Sequence, residues 1–332
     1  MTFVPIQQAT QRAERLLEIF KEIRANPAQL EGVEAGVISL WAVLESLASP
    51  GNPTDPAVAD LYVAGAGIHD LAAKIVAVWD TKPEVKPLLT PHLKLLAETS
   101  YTGQNVTNAR WDRKGGVARE HGSADKVIEL YWACLCILAE MSVELDDPFS
   151  SSGGSNPDVI AKAADGTRWA FALKTLSEVS KPDTAAKNLV RNIEKGADQI
   201  KRAACDKGMV VVNLKNVLDH PRVRAGGPFP NWPAAQWSLN AQITNILDYF
   251  YRNEAVALEP TFAQRSAVAP LVALLAHTTA LVQPPGRGLM FTELKTMIGV
   301  SVPTPDEPQP GTFGREAAGL AADLNHLVQV VL

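Results

Sequence analysis

The chain has 332 residues, 46% of them apolar and 20% charged, and its 31 lysines and arginines against 36 aspartates and glutamates leave a net charge of −5. At roughly 150 residues per domain it is long enough for two or three compact units, and no composition bias points to a fibrous or mainly disordered chain. The acidic balance excludes a protein that coats nucleic acid through overall positive charge and leaves only local basic faces for that purpose. Three cysteines, Cys134, Cys136 and Cys205, make neither a disulfide framework nor a metal knuckle, which suits a reducing, cytoplasmic setting. The first 20 residues lack a signal-peptide pattern, and no stretch of about 18 uncharged apolar residues occurs, so neither secretion nor a membrane partner is expected.

From Gln7 to Ser100 the apolar spacing is helical, with Leu16, Phe20 and Ile23, then Val37, Leu40, Trp41 and Leu44, recurring three and four apart. Proline clusters at 49–56 and 81–87 stop the helices. The pattern predicts a helical domain over 1–120. A basic glycine-containing stretch, NARWDRKGGVAREHG, follows, and Arg110, Arg113 and Lys114 there could clamp a phosphate backbone while Trp111 stacks on a base; a plain flexible interdomain loop is the preferred explanation. GAGIHD at 65–70 has no P-loop lysine and no second histidine motif, so it is not read as a site.

A strongly apolar helix begins near Asp125, and then the pattern changes. MSVELDDPF reads as a strand. PDVIAKA and TRWAFALKTL read as two strands joined by the tight-turn dipeptide Asp165-Gly166. Asp183 to Cys205 is an amphipathic helix, and MVVVNLKNVL is a buried strand. Beyond a Pro/Gly-rich loop the apolar runs at 238–253, 266–281 and 315–331 read as helices, which gives a core at 121–235 and a C-terminal helical region at 236–332.

Within the core, Asp158 precedes one hairpin strand and Lys174 lies on the next, two residues and therefore one face from Ala172. A carboxylate holding a divalent ion beside an ammonium suits phosphodiester hydrolysis: the ion polarises phosphate and activates water, and the ammonium stabilises the charge that gathers on the phosphoryl oxygens.

With Pro157-Asp158 in place of its PD and Lys174 in place of its last lysine, the segment 123–218 resembles the PD-(D/E)XK, restriction-endonuclease-like phosphodiesterase superfamily. The resemblance implies an α+β fold with an αβββαβ core and a mixed central sheet, flanked by helical regions, and a Mg2+- or Mn2+-dependent nuclease acting on nucleic acid, DNA before RNA. It implies that Asp158 is a metal ligand and Lys174 the catalytic lysine, that Glu129 on the preceding helix is an accessory metal or water ligand, and that Gln199 positions water or phosphate. The family's second acid falls on Ala172, so the missing carboxylate is expected from the next helix, first from Glu194, then Asp198 or Glu178. Arg191, with Lys187 and Lys195, gives that helix a basic face for phosphates, although Glu194 and Asp198 make an ordinary salt-bridged face as good an explanation. For Glu140 a solvated or ion-paired structural role is preferred. The departure at Ala172 keeps open a second reading, a nuclease-fold scaffold that binds nucleic acid or a protein through its helical flanks without cleaving. Apolar faces on the terminal helices would allow a homodimer.

Overall fold

The computed structural model describes residues 6–23, 70–98, 123–146, 156–176, 181–214, 217–263, 267–302 and 312–330. The expectations for 24–69, and those for Arg110, Arg113, Lys114 and Glu178, lie outside the described residues. Among them the fold is α+β, built on one six-stranded mixed sheet.

Among the described residues three helices come first: α1 (Ile6–Glu22), α2 (70–81) and α3 (Lys86–Glu98). The prolines of TKPEVKP act as expected: α2 ends at 81 and a short 3-10 turn, Pro83–Val85, redirects the chain into α3. Then follow α4 (Ser123–Leu138), β1 (Ser142–Leu145), β2 (Val159–Lys162), β3 (Arg168–Thr175), α5 (Pro182–Arg202) and β4 (Lys207–Asn213). Strands β1, β2 and β3 form an antiparallel meander. The β2–β3 turn is the Asp165-Gly166 hairpin: Gly166 has φ +89°, which costs a residue without Cβ little, and Asp165 Oδ1 accepts the Thr167 N–H at 2.9 Å. Helix α5 crosses over to bring β4 parallel to β3.

After β4 come α6 (His220–Ala225), α7 (Trp232–Asn253) and α8 (Glu259–Ala263). Here the structure corrects the sequence reading. The run at 266–281 is not a helix but β5 (Val268–Val282), parallel to β4, and it pairs antiparallel with β6 (Met290–Ser301) before the last helix, α9 (Thr312–Gln329). The region expected to be wholly helical therefore completes the sheet. A long apolar run buried on both faces has neither a helical stripe nor a strand alternation, so periodicity could not decide between the two.

Both faces of the sheet are covered. Phe171, Leu173, Val211, Ala273 and Leu275 lie on the face packed by α4 and α9, in one core with residues of α1, α2 and α3. Ala170, Ala172, Val210, Val212 and Leu274 face α5, α6, α7 and α8. The closest approach is at Gly196 of α5, where a Cβ would lie 2.9 Å from Val210 Cγ1 and 3.3 Å from Ala172 Cβ. Glycine there lets the crossover helix lie close on β3 and β4. No helix among the described residues is long and apolar enough to cross a membrane.

Candidate functional site

Asp158 immediately precedes β2, and its N–H donates to Phe171 O at 3.1 Å, which fixes it beside β3. Val159 pairs with Phe171 and Ile160 with Ala170, so the pleat turns Asp158 to the same side as Ala172 and Lys174. Asp158 Oδ2 accepts the Leu173 N–H at 2.6 Å and a hydrogen bond from Lys174 Nζ at 3.3 Å, and Lys174 Nζ also donates to Leu173 O at 2.9 Å. One ammonium thus lies between a carboxylate and a main-chain carbonyl. Both side chains keep some solvent contact, 17% for Asp158 and 15% for Lys174, so the pair sits at an accessible strand end. In a mixed sheet with parallel strands the carboxyl ends are where ligands are bound, and Lys174 is next to the last residue of β3.

The other expected residues are spread more widely. Ala172 is fully buried under Gly196. Glu194 and Asp198 are each two residues from Gly196, about 200° around the helix, so both leave α5 on the side away from β3 and β4, partly exposed. The turn carrying Gln199 is buried and packs over the amino end of β3: a Cβ on Gly208 would meet Ile200 Cγ2 and the Ala170 carbonyl, four residues before Lys174. Glu129 is buried in the other helical layer, where its Oε2 lies 3.5 Å from His92 Nε2 of α3. Arg191 is exposed on the outer face of α5, in line with exposed Lys187 and Lys195. Glu140 accepts a hydrogen bond from Lys82 Nζ at 2.6 Å, the ion-paired structural role preferred for it.

A second cluster was not anticipated. Asp70 of α2, His277 of β5, and Glu293 and Lys295 of β6 meet on the opposite face of the sheet. Lys295 Nζ donates to Asp70 Oδ1 at 2.6 Å and lies 3.6 Å from Glu293 Oε2, and His277 Nε2 contacts Glu293 Oε1. The Tyr131 hydroxyl donates to Asp70 Oδ2 at 2.9 Å. Lys74, one turn after Asp70, donates from Nζ to Leu327 O and Val330 O, both at 2.6 Å, and closes the C-terminal end of α9. Burial alone would raise the carboxyls and lower the lysines. For Asp70 that burial is outweighed by Lys295, Lys74 and His277, which hold its carboxyl below the usual range. Burial of Glu293 is likewise outweighed by His277 and Lys295, and its carboxyl is lowered. Burial of Lys295 is overcome by Asp70 and Glu293, which raise it. For Lys74 desolvation wins, and its value falls to about 8.

One sequence signal could have revealed this cluster. Glu293 and Lys295 stand two apart in an otherwise apolar segment, hence on one strand face. It is the acid-x-lysine spacing that Ala172 breaks at Lys174.

Comparisons of the chain with models of known families, with curated proteins and with solved structures found no match.

Proposed function

We propose that the chain is a divalent-metal-dependent phosphodiesterase acting on nucleic acid, with a restriction-endonuclease-like core spanning α4 to β4. The observation that carries this reading is the Asp158–Lys174 pair on adjacent strands, 3.3 Å apart and partly open to solvent. The order α4-β1-β2-β3-α5-β4, an antiparallel meander followed by a parallel crossover, supports it. The donors suit the metal: an ammonium already lies between Asp158 Oδ2 and Leu173 O, and oxygen ligands are what Mg2+ and Mn2+ take.

Asp158 and the Leu173 carbonyl would hold the ion, which when bound supplies Lewis-acid activation of phosphate and water. Mg2+ keeps several waters and needs only one or two protein carboxylates, so Ala172 weakens such a site without abolishing it. Lys174, held by Asp158, donates to the phosphoryl oxygens or to the attacking water and neutralises the charge that develops there. The stripe Lys187, Arg191 and Lys195 meets the phosphate backbone, contributing affinity without reading sequence.

Purified protein is incubated with supercoiled plasmid, single-stranded DNA and RNA in Mg2+, Mn2+ or chelator, beside Asp158→Asn and Lys174→Met. The expected result is metal-dependent cleavage that falls by about 10²–10³ in each folded variant. Absence of cleavage on every substrate, or cleavage unchanged in both variants, would overturn the reading. Ala172, buried where a second carboxylate is wanted, favours one other reading, a nuclease-fold scaffold that binds nucleic acid without cutting it; binding without cleavage would identify it.

A further inference from the structure

The cluster on the opposite face offers more than an ion pair. Asp70, His277 and Glu293 each present one ligand atom, and the three atoms lie within 4.8 Å of one another. They come from three elements: Asp70 from α2, His277 from β5 and Glu293 from β6. A separate observation points into the same space. Thr279 is two residues from His277 on the same strand face and directly opposite Glu293 in the β5–β6 register; it is 1% exposed, and its Oγ1 makes no hydrogen bond among the described residues. Burying a hydroxyl without a hydrogen-bond partner is unfavourable, so a ligand or its bound water belongs there.

We propose that Asp70, His277 and Glu293 bind a divalent first-row transition-metal ion, with the Thr279 hydroxyl turned toward the ion or its water. One imidazole and two carboxylates suit Mn2+, Fe2+ or Zn2+ better than Ca2+ or Mg2+, which prefer oxygen alone. The Lys295 ammonium, 2.6 Å from Asp70 Oδ1, is the cation that neutralises these oxygens without metal, and the metal ion displaces it. Glu293, with 18% of its side chain exposed, gives the ion its way in. Register places this site near the other one: Asn213 ends β4 opposite Leu275, so His277 and Thr279 lie just past the carboxyl end of β4, at the same end of the sheet as Lys174 but on the reverse face. The inference does not depend on the reading of Asp158 and Lys174.

The test uses the full chain carrying Asp158→Asn, which removes the other candidate ligand. Mn2+ is titrated in while the free-ion electron paramagnetic resonance signal is followed, and the bound ion is examined for spin-echo modulation by a histidine nitrogen. One Mn2+ per chain with nitrogen modulation is expected. Adding His277→Gln should remove the modulation and weaken binding at least tenfold, and adding Lys295→Met should tighten it by a similar factor. If the His277→Gln chain does not fold, the isosteric Glu293→Gln replaces it with the same expected loss of affinity. No Mn2+ bound at 1 mM by the folded Asp158→Asn chain, a bound ion without nitrogen modulation, or binding unchanged by these substitutions would overturn the proposal. Since Asp158 is absent throughout, failure here leaves the phosphodiesterase reading to its own assay.

Discussion

Replacing Lys295 by methionine takes one ammonium out of a buried network and leaves its carboxylates behind. That ammonium lies 2.6 Å from Asp70 Oδ1, with 7% and 4% of the two side chains exposed. Coulomb attraction at this separation is about 6 kcal/mol at an effective dielectric of about 20, and most of it is offset by the cost of removing both charges from water. What the variant exposes is the penalty of a stranded carboxylate, about 3–5 kcal/mol. The Tyr131 hydroxyl and Lys74 still favour a charged Asp70, which puts the expected loss at the lower end, about 3 kcal/mol. With an unfolding entropy of about 2.1 cal/mol/K per residue, a 332-residue chain loses about 1.4 °C per kcal/mol, so Tm should fall by about 4 °C. The assay is urea and thermal unfolding followed by circular dichroism in the presence of chelator. Asp70→Asn combined with Lys295→Met should recover at least half the loss, because the Asp70 carboxylate, the partner 2.6 Å from the ammonium, is then no longer stranded. A loss below about 1 kcal/mol, the range of an exposed ion pair, or a double variant as unstable as the sum of the singles, would refute the account of mutually compensating buried charges.

Two further outcomes follow from particular geometries. Lys74 titrates at about 8 in the folded chain against 10.5 when unfolded; between these values the unfolded state binds more protons, so this residue's contribution to stability increases as pH rises through 8 toward 10.5, at up to about 1.4 kcal/mol per unit. The difference between the native chain and Lys74→Met, measured by urea unfolding in chelator from pH 7.5 to 9, should show that slope; measurement stops at 9 because the buried Cys134 thiol, raised to about 12, contributes stability that is lost as the unfolded chain ionises above it. A flat difference would mean that the two carbonyls on Lys74 keep it charged throughout. At the hairpin, Gly166→Ala should cost about 1 kcal/mol, since φ is +89° and a Cβ would meet no atom within 4 Å. Gly288→Ala, where a Cβ likewise meets nothing and φ is not left-handed, should be near neutral; equal effects of the two in thermal unfolding would remove the backbone explanation.

The parts of the fold that were legible in the sequence are those with local causes. The Asp165-Gly166 turn follows from turn chemistry, and the register it sets between β2 and β3 brings Asp158 and Lys174 together. The stripe Leu189, Ile193, Ala197 and Ile200 does face the sheet. The strand β5 was hidden because an apolar run covered on both sides carries no period, even though Pro270 and the Thr278-Thr279 pair argue against a helix. The Asp70 cluster was hidden for a different reason. Asp70 stands 225 residues before Lys295, and His277 joins the Glu-x-Lys pair only through the β5–β6 register, so the sequence carries no common spacing to detect. The GAGIHD segment has no P-loop lysine and no second histidine motif, so nothing in it marks Asp70, which stands at the beginning of the described part of α2 and meets the sheet through Lys295.

The two clusters share one device and differ in what surrounds it. In each, a lysine ammonium lies between a carboxylate and a second oxygen: Asp158 Oδ2 and Leu173 O for Lys174, Asp70 Oδ1 and Glu293 Oε2 for Lys295. Electrostatic work on a substrate needs the charge to be exchangeable with water and phosphate, which the partly exposed Lys174 allows. Lys295 is buried, its ammonium on Asp70 of α2 and its carbonyl accepting from Gln329 of α9, while Tyr131 of α4 holds the other oxygen of Asp70. On the proposed reading, chemistry on a large polyanion is assigned to the Asp158 end, where Asp158 and Lys174 keep some solvent contact. On the metal-site proposal the ion is held at the Asp70 end, where Asp70, His277 and Glu293 each present a ligand atom within 4.8 Å of one another. A single tight ion that survives Asp158→Asn, alongside cleavage that does not, is the pattern this division of labour requires.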